Sequence, residues 1–105
     1  MKSLFILLYL SLISTTTLGQ TYATAQLEHS PRHHEWIKLK SNGRDLSCFI
    51  TYPESSKSAT VILLIHENRG LNDWARSMAD QLSEAGYIVV APDLISGISS
   101  EYEKT

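Results

Sequence analysis

Four groups of residues in this chain have types that could do chemistry. The first is His66-Glu67-Asn68-Arg69-Gly70, an imidazole, a carboxylate and a run of backbone amides in one short stretch. It stands between an apolar run and a helix signal, where a tight turn containing Gly70 can aim a backbone N–H. Preorganised donors of that kind stabilise the negative charge that develops on a tetrahedral carbon's oxygen during acyl transfer. The second is Cys48, the only cysteine. It sits mid-strand in Leu46-Ser47-Cys48-Phe49-Ile50 without flanking glycines, and reads as a small buried hydrophobe rather than a nucleophile. The third is Ser99, which follows Gly97-Ile98 as half of a G-x-S-x-G turn. Glu101 occupies the second glycine's place, so Ser99 reads as a loop serine. The fourth is His33-His34-Glu35. Adjacent histidines start on opposite faces, and no third ligand has zinc-like spacing. That stretch reads as a solvated turn with Trp36 packing underneath. No metal and no organic cofactor is implied.

The elements that must position these residues begin at Glu35. Ile37 and Leu39 alternate with Lys38 and Lys40, which predicts a half-exposed strand. Asn42-Gly43 is a strong hairpin signal, because both central residues of such a turn need positive φ. The return strand runs from Asp45 to Tyr52, with Leu46, Cys48, Ile50 and Tyr52 on one face and Ser47, Phe49 and Thr51 on the other. Pro53 ends it, since proline cannot donate to a ladder. Val61-Ile62-Leu63-Leu64-Ile65 is uniformly apolar, the pattern of a parallel strand buried on both faces. Asn72 or Asp73 can cap the helix that follows. Trp74, Met78 and Leu82, with Ala75 and Ala79 beside them, give that helix one apolar stripe. Gly86 ends it, and Tyr87 to Ala91 is a second buried strand closed by Pro92-Asp93. The expected fold class is therefore α/β: an antiparallel hairpin feeding a parallel β-α-β unit.

The N-terminus carries a different signal. Lys2 is followed at once by an apolar run, Leu4 to Ile13. That run is shorter than the ~20 residues that span a bilayer and fits the h-region of a signal peptide. Thr17-Leu18-Gly19 offers a cleavage site after residue 19, and Ala23-Thr24-Ala25 offers one after residue 25. The expectation is a signal peptide over 1–19, a polar extended leader over 20–34 and the folded portion over 35–105. The protein is then exported, periplasmic or extracellular, without a stable membrane anchor. Removing Lys2 takes the formal charge from -2 to -3. That mild acidity and the lack of a basic aromatic stripe argue against a nucleic-acid partner.

Together IHENRGLNDW, MADQLSEAGYIVVAPDL and the upstream PRHHEW resemble the dienelactone hydrolase family, and its exported members most closely. The resemblance extends from about Pro31 to Gly97. It implies the N-terminal part of an α/β-hydrolase fold, with the sheet incomplete in this chain. It also implies a hydrolase of small-molecule esters or lactones working through a nucleophile, a histidine and an acid. In that family the glutamate after the histidine tunes the resting nucleophile, which here is Glu67, and the next residue supplies an oxyanion-hole amide, which here is Asn68. His66 comes too early in the chain to be the triad base, since the order is nucleophile, acid, histidine, and reads as a packed strand-end residue. The elbow, G-x-C-x-G or G-x-S-x-G, is expected beyond Thr105, so the chain alone is expected to be inactive. One departure is Gly97, which stands about where dienelactone-cleaving members place an arginine for the substrate carboxylate. Arg69 remains open between steering an anionic substrate and a surface ion pair.

Two other function classes compete. A dinucleotide site needs G-x-G-x-x-G opening the helix, whereas this turn reads Glu67-Asn68-Arg69-Gly70-Leu71-Asn72. A truncated, non-catalytic secreted fragment or binding module would leave a parallel pair with one face uncovered, and is expected to be poorly soluble.

Overall fold

The computed structural model describes residues 21–55 and 57–98. The apolar run at Leu4–Ile13, the boundary at Gly19 and the loop serine Ser99 lie outside the described residues.

Within them the chain opens on a helix rather than an extended leader: residues 21–29 are helical (α1). Ala23 is buried and Leu27 packs against the core. The polar side chains of α1 point at the second helix, and their bonds offset its weak apolar pattern. Thr24 Oγ1 donates to Asp73 Oδ2 at 2.9 Å, and Gln81 Nε2 donates to Gln26 Oε1 at 3.0 Å.

The hairpin forms where Asn-Gly places it. Strand β1 (His34–Ser41) pairs antiparallel with β2 (Arg44–Thr51), Ser41 opposite Arg44. Asn42 and Gly43 carry φ of 51° and 77°, the two positive values such a turn demands. Strand β3 (Val61–Leu63), helix α2 (Asp73–Glu84) and strand β4 (Ile88–Asp93) complete the unit. β4 lies parallel to β3 and antiparallel to β2, so the four-stranded sheet runs β1-β2-β4-β3.

Both ends of α2 are closed by local chemistry. Asn72 is the N-cap, its side chain accepting from Ala75 N–H at 3.0 Å. At the other end Gly86 takes φ 105°, which only glycine adopts cheaply. Gly86 N–H donates to Ser83 O and Tyr87 N–H to Leu82 O, the two bonds of a Schellman motif.

The face of α2 that meets the sheet is the expected one only in part: Ala75 and Ala79 lie in the core and Leu82 packs against it, but Trp74 does not. Ala75, Ser77, Ala79, Asp80 and Ser83 are buried, whereas Trp74 is 54% exposed. Small side chains let the helix axis approach the sheet, and Thr51 Oγ1 reaches across to donate to Ala79 O at 3.1 Å. The core proper is Phe49, Leu71, Ala75, Ala79, Val89 and Ala91. β3 forms the sheet edge among the described residues. Val61, Leu63 and Ile65 are 59%, 62% and 57% exposed, so this run is open rather than buried on both faces.

Candidate active site

The chain leaves β3 at Leu64, whose N–H still donates to Val90 O at 2.9 Å, and turns over residues 66–70 before α2 begins. Gly70 N–H donates to Glu67 O at 3.2 Å, closing the turn. Gly70 is buried with φ 81°, and a Cβ there would lie 2.7 Å from Ile95 Cδ1. A side chain at 70 would thus clash with the segment leaving β4 as well as strain the backbone. The turn is pinned between the two parallel strand ends.

Glu67, Asn68 and Arg69 form its exposed tip. Glu67 borders a groove of about 310 Å³ whose walls include Leu64, Ile65, Trp74, Met78 and Leu82. Trp74 and Met78 of α2 thus line a groove beside β3, and Leu82 lines it while also packing against the core. Among the described residues, the Asn68 N–H donates to no protein acceptor, and Arg69 has no acidic partner within ion-pair distance.

His66 is packed, as its place at a strand end implies. Its side chain is 4% exposed. Nδ1 faces Glu67 O, and Leu94 N–H donates to Nε2 at 2.9 Å. Asp93 Oδ1, buried without a hydrogen-bond partner among the described residues, lies 3.6 Å from Nε2.

The other candidates are structural. Cys48 is fully buried, and burial pushes its thiol pKa up, which suppresses the nucleophilic thiolate. His34 is not part of a solvated turn. It starts β1, its Nε2 lies 2.7 Å from Asp80 Oδ1, and its ring packs tilted against Phe49 with centroids 5.3 Å apart. Trp36 is half exposed and packs against Phe49 with ring centroids 5.2 Å apart. Burial alone would raise the Asp80 carboxyl pKa. Hydrogen bonds from Arg32, Ser30 and His34 outweigh that cost and hold it far below the usual carboxylate range. A buried aspartate in the middle of α2 gave no signal in the apolar pattern, because its partners lie in residues 30–34.

Comparison with known proteins gives this arrangement a family. The sequence model of the dienelactone hydrolase family matches residues 46–104, the stretch from β2 through the turn and β4. A protein of Escherichia coli (strain K12) named as a hydrolase fragment, YghX, is 40% identical over 67 residues, covering 61% of this chain and 57% of the relative. A protein of Saccharolobus solfataricus named as a carboxymethylenebutenolidase is 37% identical over 58 residues, covering 55% of this chain and 22% of the relative. The chain therefore spans little more than half the length of one relative and about a fifth of the other. On a match across more than half of its own residues, this chain belongs to the dienelactone hydrolase family, and its mixed sheet is part of an α/β-hydrolase fold.

Proposed function

We propose that this chain is the N-terminal part of an exported hydrolase that cleaves small-molecule ester or lactone bonds. The observation that carries the reading is the Glu67-Asn68 turn, held at the carboxyl end of β3 and opening beside an apolar groove. In this reading a thiolate or hydroxyl on a residue beyond Thr105 attacks the substrate carbonyl, and a histidine beyond Thr105 relays the proton. The Asn68 N–H receives the developing oxyanion. Glu67 sits beside the resting nucleophile and tunes its ionisation.

The groove favours an uncharged substrate portion, since its walls are largely aliphatic and aromatic. Gly97 supports the same preference. It has φ 70°, and a Cβ there would lie 2.6 Å from Asp45 O. That position is closed to a carboxylate-holding arginine. Arg69, exposed at the turn's tip, is the one cation of the turn that could steer an anionic group toward it.

The test is turnover of p-nitrophenyl acetate and a small aryl lactone by the complete encoded protein, with active-site labelling by a covalent inhibitor. Hydrolysis that Glu67→Ala slows by about a hundredfold supports the reading, the size expected when a group at the reacting centre is lost. Absence of both turnover and labelling sinks it.

A further inference from the structure

The sequence treats His66 as a packing residue, and packing alone does not require both ring nitrogens to be engaged. Each is. The Leu94 N–H can only donate, so Nε2 must offer a lone pair to it. The Glu67 carbonyl can only accept, so the hydrogen must be on Nδ1. The two bonds together define one neutral tautomer. The Leu94 bond also joins the two loops that follow the neighbouring parallel strands β3 and β4.

We infer that His66 is a positioning residue that aims the Asn68 amide by holding the carbonyl of the same peptide unit. Glu67 C=O and Asn68 N–H belong to one planar trans peptide, so they point in opposite directions. Two donors fix the carbonyl: His66 Nδ1–H and the Gly70 N–H at 3.2 Å. With the carbonyl turned inward to them, the Asn68 N–H is turned outward. His66 is itself anchored from behind by Leu94 N–H, and its side chain is almost fully enclosed. Imidazole rigidity therefore passes from the β4 exit to the peptide plane at 67–68. The purpose given to this tie rests on the hydrolase reading; the tie itself does not.

The experiment uses the complete encoded protein, labelled with ¹⁵N-histidine, at neutral pH. Long-range ¹H–¹⁵N correlation should show His66 protonated on Nδ1 and bare on Nε2, with the Leu94 amide protected from exchange. A ring protonated on Nε2, or a fast-exchanging Leu94 amide, overturns the inference whatever the enzyme's activity. Where turnover is present, His66→Ala should lower kcat by about 10–100-fold with KM within about twofold, the cost of a misaimed group. His66→Asn places an amide donor near the Nδ1 position and should recover most of that loss, whereas His66→Gln should not. An Ala variant with parental kcat, or equal losses in all three variants, overturns the positioning role. Should the variants fail to fold, the tautomer of the parent decides alone. Lack of turnover in the parent refutes the hydrolase reading and leaves the tautomer test intact.

Discussion

Arg32 and Asp80, 48 positions apart, meet in a two-pronged ion pair: Nε lies 3.0 Å from Oδ1 and Nη2 lies 2.7 Å from Oδ2. The Asp80 side chain is fully buried and Arg32 nearly so. Ser30 Oγ donates to the same carboxylate at 2.6 Å. One carboxylate thus ties the segment between α1 and β1 to the middle of α2.

Removing one member of such a pair leaves the other charge buried and unpaired, which costs about 3–5 kcal/mol. Asp80→Asn is expected to lower stability to urea by that amount, measured on the complete protein. The pH dependence has a definite sign. A carboxyl whose folded pKa is depressed contributes stability that is complete above its unfolded value, about 3.9, and lost as pH falls through the folded one. The deficit of Asp80→Asn should therefore be complete above about pH 5 as far as Asp80 itself is concerned, and shrink in strong acid. A deficit that stays the same as the pH falls into strong acid would contradict the depressed pKa of Asp80.

Gly70 and Gly43 offer a controlled pair. Both have positive φ, but only Gly70 has a neighbour in the way of a Cβ. Gly43→Ala should cost about 1 kcal/mol for backbone strain alone. Gly70→Ala should cost up to about 1 kcal/mol more, the low end of overpacking, because the atoms in the way belong to the tip of the Ile95 side chain, which can shift. Adding Ile95→Val should return part of that excess, because the clash is with the Ile95 Cδ1 methyl. Chemical denaturation of the three variants measures the difference directly.

Cys48 should be silent. Its burial and raised pKa predict that a disulfide exchange reagent labels it only on unfolding. Rapid stoichiometric labelling of the folded protein at pH 8 would show that the β2 interior opens freely.

The open β3 edge sets an expectation for residues 20–105 expressed alone. With Val61, Leu63 and Ile65 each more than half exposed, this segment should bind a hydrophobic dye and melt without cooperativity. A sharp calorimetric transition would show that the edge and groove are tolerated in water.

Much of this fold is legible in the residues. Asn42-Gly43 specifies its own turn, and Gly86 specifies the end of α2, because positive φ leaves few alternatives. The β-α-β order follows from two apolar runs around one capped helix. What stays hidden is carried by polar side chains. The N-terminal helix docks through Thr24 and Gln26 more than through an apolar stripe, so periodicity has little to report. Asp80 looks like a solvent-facing helix residue until Ser30, Arg32 and His34 fold back onto it. In α2, bulk pointed to Trp74, whereas close approach to the sheet selects the alanines and serines. At the candidate site, the types and order of Glu67 and Asn68 could be read in advance. The two bonds of His66 could not, because Leu94 comes 28 positions later.

The carboxylate at position 80 also bears on the timing of synthesis. A growing chain emerges from its N-terminus, so Gln26, Ser30, Arg32 and His34 are made well before their shared partner. Until Asp80 has emerged, they are a polar segment whose guanidinium has, among the described residues, only the exposed Glu54 as an ion-pair partner. The β1–β2 hairpin can close on its own in that interval, since its register needs only the Asn42-Gly43 turn. Its neighbour β4, however, follows Asp80 in the chain. Completion of α2 thus makes the carboxylate partner of the N-terminal segment available before β4, the strand that joins the hairpin to the rest of the sheet, has been made.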